Sequence, residues 1–497
     1  MTQLGADPQV ETVRPPADVL DTPAAGGLVI RGAVFRVMGY VAGAALATIS
    51  IGLLTRYLGV ARFGQYTTVI SVVTVTSALT DLGMSGLATR EYAVLSGADR
   101  DHFMRNLIGL RIAISLVAVV SSTGFAIAAG YDTALVLGTA LASLGIALGS
   151  LQGTFAAPLT ATLRLGQTSA LELLRQAVLV ALTAILIVLG AGLLPLLAAL
   201  VPAALVVLAA TALLARRHIP IRPSLKPSGW VSLIRTTVAF SLATGVGTMY
   251  VFTTQILTSL ATTGEQNGLF AAAFRVFVVV ASIAGLVVVA AFPVLARAAR
   301  DDHERLAYAV QRLFEVVVIL GVAAAVGVIT GAKPIIAVIA GPHYAAAAGV
   351  LRIDGAALVA SFLLATFGLA LISLHRHRAL ILTNLLALSI TATLTLALAS
   401  TFGARGGAVA TVCGEWVLSL AYMFALSRGP DGLRPKPAVV VKVAIAAIPA
   451  FSVMLLGLPD VAQLLVATLL YTCGIIVLKA VPRELYALLP LRAGRRA

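Results

Sequence analysis

Charged residues are scarce in this sequence of 497 residues, where they make up 11% against roughly a quarter in water-soluble domains. Hydrophobic residues make up 60% of the chain, and the mean hydropathy is +1.01. No charged residue at all occurs between Arg175 and Arg216. This scarcity excludes a water-soluble fold and indicates a chain that lies in a membrane.

Several sequence signals of chemistry are also missing. The only two cysteines, Cys413 and Cys473, lie in apolar segments, so no disulfide or metal site is predicted. We find no P-loop, no HExxH and no nucleophile triad, and we therefore predict no cofactor, no direct driving by ATP and no enzyme. No connection is long enough for a soluble catalytic domain, which argues against a glycan polymerase or ligase.

Long apolar runs are what the sequence has instead. Period-2 alternation is absent, which excludes a transmembrane barrel, whereas runs of about 20 apolar residues suit helices that cross hydrocarbon. We predict an all-α polytopic membrane protein with about fourteen transmembrane helices. Their spans are 33–57, 65–88, 107–129, 133–157, 168–190, 193–214, 231–258, 268–294, 308–332, 351–374, 379–401, 404–426, 437–457 and 460–481.

The basic residues predict the orientation of these spans, because Lys and Arg are enriched in cytoplasmic loops. With both termini in the cytoplasm, all but six of the 35 Lys and Arg residues fall on or near that side. The same bias explains the net charge of +15 by topology and contact with membrane lipids rather than by nucleic acid. The six exceptions are Arg56, Arg62, Arg275, Lys333, Arg352 and Arg405.

A faint internal repeat suggests two lobes. Gly64-x-Tyr66 opens span two and Gly268-x-Phe270 opens span eight, 204 residues later. Two six-helix lobes would then form a V around a central cavity. The predicted division is a disordered cytoplasmic tail 1–27, an N-lobe 28–214, a cytoplasmic inter-lobe loop 215–230, a C-lobe 231–427, two C-terminal helices within 428–481 and a basic cytoplasmic tail 482–497.

One string near the first external turn resembles a known family. It reads Leu53-Leu54-Thr55-Arg56-Tyr57-Leu58-Gly59, followed by Phe63-Gly64-x-Tyr66, Asp81-Leu82-Gly83 and Arg90. Later segments at Gly268–Arg275, Phe292–Arg297 and Gly341–Ala347 also match in order. The chain thus resembles the Wzx-type oligosaccharide flippases of the multidrug/oligosaccharidyl-lipid/polysaccharide exporter superfamily over roughly residues 30–375.

The resemblance implies a transporter of the bacterial cytoplasmic membrane that works by alternating access. Its cargo would be a polyprenyl-pyrophosphate-linked oligosaccharide used for cell-surface polysaccharide, moved from the cytoplasmic to the outer leaflet. Glycosyltransferases and a glycan polymerase would be its partners. An ion-coupled exporter of small amphiphiles is the alternative, since drug exporters of the superfamily share the architecture.

Basic side chains inside spans are the first candidates for binding a pyrophosphate, because an anion is costly to bury in hydrocarbon. Arg275 lies about eight residues, roughly 12 Å, into span eight, where it either binds phosphate or forms a structural ion pair. Arg235 and Arg36 lie nearer to span ends, where snorkelling anchors are the alternative. Gln152 and Gln255 are candidates for sugar hydroxyls, with interhelical hydrogen bonds as the alternative.

Carboxylates inside spans are candidates for a coupling proton or Na⁺, since they are costly unless paired, protonated or bound to an ion. Asp81, in span two, and Glu415, near the centre of span twelve, are the two candidates. For each, a structural salt bridge or hydrogen bond is the alternative. Glu172 and Arg175 are spaced i, i+3 in span five and are predicted to pair with each other.

Overall fold

The computed structural model describes residues 23–81, 83–162, 164–216, 223–224, 229–301, 303–428 and 432–481. The predicted tail 482–497 and residues 1–22 of the predicted tail 1–27 lie outside the described residues. Every regular element of the described residues is helical, as predicted. Long apolar runs explain this, because a helix is the structure that satisfies each backbone polar group within one segment.

Several α-helices of the described residues begin and end close to the predicted span limits, whereas others extend beyond theirs. The helices are α1 (Pro23–Asp81), α2 (Met84–Val94), α3 (Gly97–Ala128), α4 (Thr133–Ala161), α5 (Leu165–Val188), α6 (Leu193–Ala198), α7 (Leu200–Ala215), α8 (Trp230–Ala261), α9 (Gly264–Asp301), α10 (His303–Thr330), α11 (Ala332–Ile339), α12 (Ala347–Gly355), α13 (Leu358–Ser373), α14 (His377–Phe402), α15 (Ala404–Ser427), α16 (Ala438–Ser452) and α17 (Asp460–Val477). Those that extend beyond their predicted spans are α1, α3 and α9. Each predicted span falls on one helix or on two consecutive helices.

Eleven helices of the described residues are long and apolar enough to cross a membrane, or up to twelve if a bent pair is one span. That pair is α12 and α13, which meet at 43°. One of the eleven, Ala42–Val94, covers most of predicted span one and all of predicted span two. The chain is therefore a multi-pass membrane protein, and the count of fourteen spans stays a prediction.

A kink at Gly59 divides α1 into two arms. Gly59 has φ 71° and ψ 176°, a backbone conformation that glycine adopts readily and residues with a Cβ avoid. The turn that the sequence places between spans one and two is therefore this single glycine. We call the side of the molecule at this kink the kink face; the basic residues predict that it is the outer face.

The helices pack in two groups along the chain. In the first group, α1 to α7, α4 packs against α7 and α3, while α1 packs against α5. In the second group, α8 to α15, α14 packs against α15 and α8, and α13 against α10 and α9. Helix α1 joins the groups through its contacts with α8 and α9, whereas α16 and α17 pack on each other and on α10.

The two groups approach most closely where α1 crosses α9 near the kink face. A Cβ on Gly64 would lie 2.7 Å from the backbone nitrogen of Gly268, and a Cβ on Gly268 would overlap the carbonyl oxygen of Val60. Only glycine allows this backbone contact. The two glycines of the faint repeat thus meet each other at the crossing between the groups.

Candidate functional site

A central cavity lies between the two groups, farther from the kink face than the Gly64–Gly268 crossing. Its volume is about 250 Å³. Helices α1, α4, α5 and α7 of the first group and α8 and α9 of the second contribute to its wall. Its polar lining comes from Ser50, Tyr66, Thr67, Ser71, Arg175, Gln176, Gln255 and Arg275.

Arg275 lines this cavity from α9, two helical turns after Gly268 on the same helix face. Within the part of the chain that the structure describes, its guanidinium has no hydrogen bond and no ion pair. Tyr66 lines the same cavity from α1. The structural ion pair that was the alternative for Arg275 is therefore not found among the described residues.

Arg175 gives the central cavity a second guanidinium. As predicted from the i, i+3 spacing, it pairs with Glu172 on α5, with Nε 3.1 Å from Oε2. Glu172 does not line the central cavity, and no Asp or Glu does so among the described residues. The lining is thus cationic on balance, which favours an anionic ligand.

A neighbouring cavity of about 320 Å³, the side cavity, lies within the first group. Arg175 and Leu200 line both it and the central cavity, so the two adjoin. Gln152 lines the side cavity, and its Nε2 donates to Thr211 Oγ1 of α7 at 2.9 Å. Gln152 therefore already makes an interhelical hydrogen bond.

Asp81, at the end of α1, also lines the side cavity and forms a salt bridge with Arg111 of α3. Arg111 is only 1% exposed. Its Nε donates to Thr154 Oγ1 at 3.1 Å and its Nη2 to Ser85 Oγ at 2.8 Å. The carboxylate of Asp81 thus has a fixed cation, which is the structural alternative considered for it.

Gln255 is buried at the kink-face end of the central cavity, in a hydrogen-bond chain between the groups. Its Nε2 donates to Asn267 Oδ1 at 2.8 Å, and Asn267 Nδ2 donates to Thr68 Oγ1 at 3.0 Å. Residues of α8, α9 and α1 are joined in this way beside the glycine crossing. These two hydrogen bonds therefore connect the two groups at this end of the cavity.

Glu415 lies on α15, beside a separate cavity of about 560 Å³ in the second group. Tyr250 and Ser361 both donate their hydroxyl hydrogens to its carboxylate, the first over 3.1 Å. Tyr422, Asn384 and His377 also line this cavity, whereas no Lys or Arg of the described residues does. Glu415 is therefore a buried carboxylate that accepts hydrogen bonds from hydroxyl groups and has no basic partner among the described residues.

The other two predicted arginines do not join these residues. Arg235 is exposed near the beginning of α8 and lines none of the cavities described here. Arg36 lies in the first arm of α1, but its side chain is outside the described part of the structure. Their predicted contact with substrate stays a prediction.

Sequence reasoning missed Arg111 and the position of Arg175 on a cavity wall. A signal for Arg111 was present, because an arginine near the beginning of span three and an aspartate near the end of span two lie at the same membrane depth. The lining role of Arg175 had no comparable signal, since it depends on how α5 packs against α1.

Three solved structures with a similar fold are a flippase and two transporters by their titles. "Lipid II flippase MurJ, inward closed conformation" matches with a TM-score of 0.76 at 14% identity, over 91% of this chain and 100% of that one. An inward-facing multidrug resistance MATE family transporter matches with a TM-score of 0.60 at 14% identity, over 79% and 97%. A transporter from Pyrococcus furiosus matches with a TM-score of 0.58 at 14% identity, over 80% and 94%. The fold is therefore that of the superfamily which the sequence resembles.

The sequence pattern of the family described as "Polysaccharide biosynthesis protein" matches residues 29–299, more than half of the chain. The protein belongs to this family. A search of curated protein sequences returned no match.

Proposed function

We propose that this protein flips a polyprenyl-pyrophosphate-linked oligosaccharide from the cytoplasmic to the outer leaflet for cell-surface polysaccharide biosynthesis. The family to which the chain belongs and the fold it shares with a lipid II flippase support this proposal. The membrane is the bacterial cytoplasmic membrane, with both termini in the cytoplasm. Glycosyltransferases supply the substrate, and a glycan polymerase uses the product.

The observation that carries the proposal is the unpaired guanidinium of Arg275 in a cavity without acidic residues among those described. A polyprenyl tail dissolves in lipid, whereas a pyrophosphate is costly to bury in hydrocarbon. Arginine matches phosphate oxygens in a bidentate geometry. Arg275 thus offers a positive charge to the pyrophosphate while it passes between the two leaflets. Gln255 and Gln176 offer hydrogen bonds beside it.

The central cavity of this structure is smaller than the proposed glycan. A volume of about 250 Å³ is smaller than the roughly 300–1,000 Å³ of ordinary ligand pockets. It suits a pyrophosphate but not a chain of sugars. The glycan therefore enters a more open state, in which the two predicted lobes separate at one end while the other end stays closed.

The proposal is tested by placing a labelled polyprenyl-pyrophosphate glycan in proteoliposomes and following its access to an enzyme added outside. We expect Arg275→Ala to lower the flipping rate by about tenfold or more, because a charge-assisted contact contributes about 1.5–3 kcal/mol. Arg275→Lys should retain more activity, since it keeps the charge. Arg62→Ala, an exposed arginine of the kink face, is the matched control and should leave the rate unchanged.

Two results would contradict the proposal. One is wild-type protein that leaves the labelled glycan on its original leaflet under every ion gradient. The other is Arg275→Ala protein that flips at the wild-type rate. Equal loss of folded protein in Arg275→Ala and Arg275→Lys would instead assign the arginine to structure.

An ion-coupled exporter of small amphiphiles is the second candidate, which the fold match to a multidrug transporter and the Glu415 cavity favour. In either function we propose that Glu415 binds the coupling H⁺ or Na⁺. Glu415→Gln should abolish the response of transport to an imposed ion gradient, because glutamine carries no charge and cannot take up a proton, although its one carbonyl oxygen still accepts a hydroxyl hydrogen. The Arg62→Gln protein is the control. Gradient-dependent efflux of a soluble dye by wild-type protein, without glycolipid flipping, would favour the exporter.

A further inference from the structure

A second cationic cavity opens on the kink face, away from the central cavity. Its volume is about 460 Å³, and we call it the outer pocket. Lys333 of α11, Arg352 of α12 and Arg405 of α15 line it, together with Asp460 of α17. None of these residues lines the central cavity.

The basic residues of the outer pocket are predicted to lie on the opposite side of the membrane from most other Lys and Arg residues of the chain. Lys333, Arg352 and Arg405 are three of the six basic residues that the predicted topology places away from the cytoplasm. A fourth, Arg56, lies beside the same loop and donates from Nη2 to the carbonyl oxygen of Val338 at 2.7 Å. The positive-inside bias does not account for basic residues here, so their convergence needs another cause.

Two of the three cations in the outer pocket are available to a ligand. Lys333 Nζ lies 3.1 Å from Asp460 Oδ1, so this pair is neutral. Neither the Arg352 nor the Arg405 side chain forms a hydrogen bond or ion pair within the described ranges. The Nε of Arg352 is moreover buried without a partner there, which is costly unless a ligand satisfies it.

The outer pocket has room for a ligand beside these guanidinium groups, since its volume is about 460 Å³. Gly341, with φ 90°, turns the chain at the edge of the pocket, and Gly349 carries no side chain toward Arg405. A Cβ on Gly349 would lie 3.6 Å from Arg405 Nη2. The first turn of α12 also lines the pocket. This turn is the N-terminal end of the helix, where the helix dipole is positive.

We propose that the outer pocket binds a phosphate or pyrophosphate group, held between Arg352 and Arg405, on the side of the membrane at the kink face. The group belongs either to a lipid headgroup or to a free phosphate, since both present the same oxygens. This site goes beyond the proposed flipping function, because it needs neither Arg275 nor transport. For a flippase it would be a place where an arriving headgroup is held.

The test is binding of inorganic pyrophosphate to the full-length protein in phosphatidylcholine nanodiscs, on an Arg275→Ala background so that the central cavity does not contribute. We expect Arg352→Gln to weaken binding by about tenfold or more, as for the loss of one charge-assisted contact. The exposed Arg405 should matter less, so we expect Arg405→Gln to weaken binding by about threefold. Pyrophosphate should also slow backbone hydrogen exchange in residues 341–355.

Arg62→Gln is the matched control, because Arg62 is an exposed arginine of the same face that lines none of these cavities. Binding that is unchanged in both pocket variants, or lost equally in Arg62→Gln, would overturn the proposal. If Arg352→Gln does not fold, pyrophosphate binding is measured on Arg352→Lys and Arg405→Gln instead. Competition by a short-chain, water-soluble phosphatidylglycerol would favour a phospholipid headgroup as the occupant, whereas no competition would favour a glycolipid or free phosphate.

Discussion

Two arginines inside the helical bundle are used in opposite ways. Arg111 is 1% exposed, and its guanidinium contacts Asp81, Ser85 and Thr154 of neighbouring helices. Arg275 lines a cavity and has no such partner within the described part of the chain. Both are charged groups in an apolar protein. Only Arg111 has its charge neutralised and its hydrogen-bond donors satisfied by neighbouring residues among those described.

The contrast shows that the partners of a charge, rather than its depth, separate structure from function in this protein. A guanidinium whose donors are satisfied stabilises one arrangement of α1, α2, α3 and α4. A guanidinium without partners costs stability and is retained where it can bind something. The following predictions test this distinction, beginning with the largest expected effect.

Arg111→Ala should lower the free energy of unfolding by about 3 kcal/mol, because breaking a buried ion pair costs about 3–5 kcal/mol and Asp81 is partly exposed. We expect most of the folded protein to be lost, as measured by size-exclusion chromatography and thermal melting in detergent. Arg275→Ala protein is the comparison and should melt close to the wild type. If Arg275→Ala melts as low as Arg111→Ala, the distinction between the two arginines is wrong.

Asp81→Asn should have a smaller effect, about 1–2 kcal/mol, since asparagine still accepts a hydrogen bond while Arg111 loses its counterion. At equal amounts of folded protein, we expect transport to respond to ion gradients as in the wild type. Thermal melting and the proteoliposome assay measure the two effects. A folded variant that has lost the gradient response would assign the coupling ion to Asp81 instead of Glu415.

Gln152→Leu should have the smallest effect, about 1 kcal/mol, which is typical for one interhelical hydrogen bond in a membrane protein. Thr211→Val removes the other partner of the same bond and serves as the control. If the bond is the only role of Gln152, the double variant should melt no lower than the more affected single variant. A loss of flipping by Gln152→Leu but not by Thr211→Val would indicate contact with the sugar.

Much of the fold was predictable from the sequence because the apolar runs are long and Gly or polar residues interrupt them. The helices α4, α14 and α15 begin and end near the predicted limits, and the turn at Gly59 was expected between spans one and two. Arg275 could be placed on a cavity because a charge so far inside a span is costly elsewhere. The match over residues 29–299 confirms the polysaccharide-biosynthesis family, whereas the Wzx type within it stays a prediction.

The remaining features depend on contacts between segments far apart in the chain. The partners of Arg111 come from α1, α2 and α4, and a count of charges by nearest membrane face does not show them. The outer pocket needs α11, α12, α15 and α17 to meet at one end of the molecule. The sequence showed that its basic residues are exceptions, but not that three of them converge.

The crossing of α1 and α9 at Gly64 and Gly268 has a mechanical consequence. Because backbone meets backbone there, no side chain can rotate aside to open a passage at the kink face. If the kink face opens in the proposed transport cycle, we expect α1 and α9 to separate there and the hydrogen bond between Asn267 and Thr68 to break. A Cβ added at Gly268 would overlap the carbonyl oxygen of Val60, so α1 and α9 would have to lie farther apart at this point.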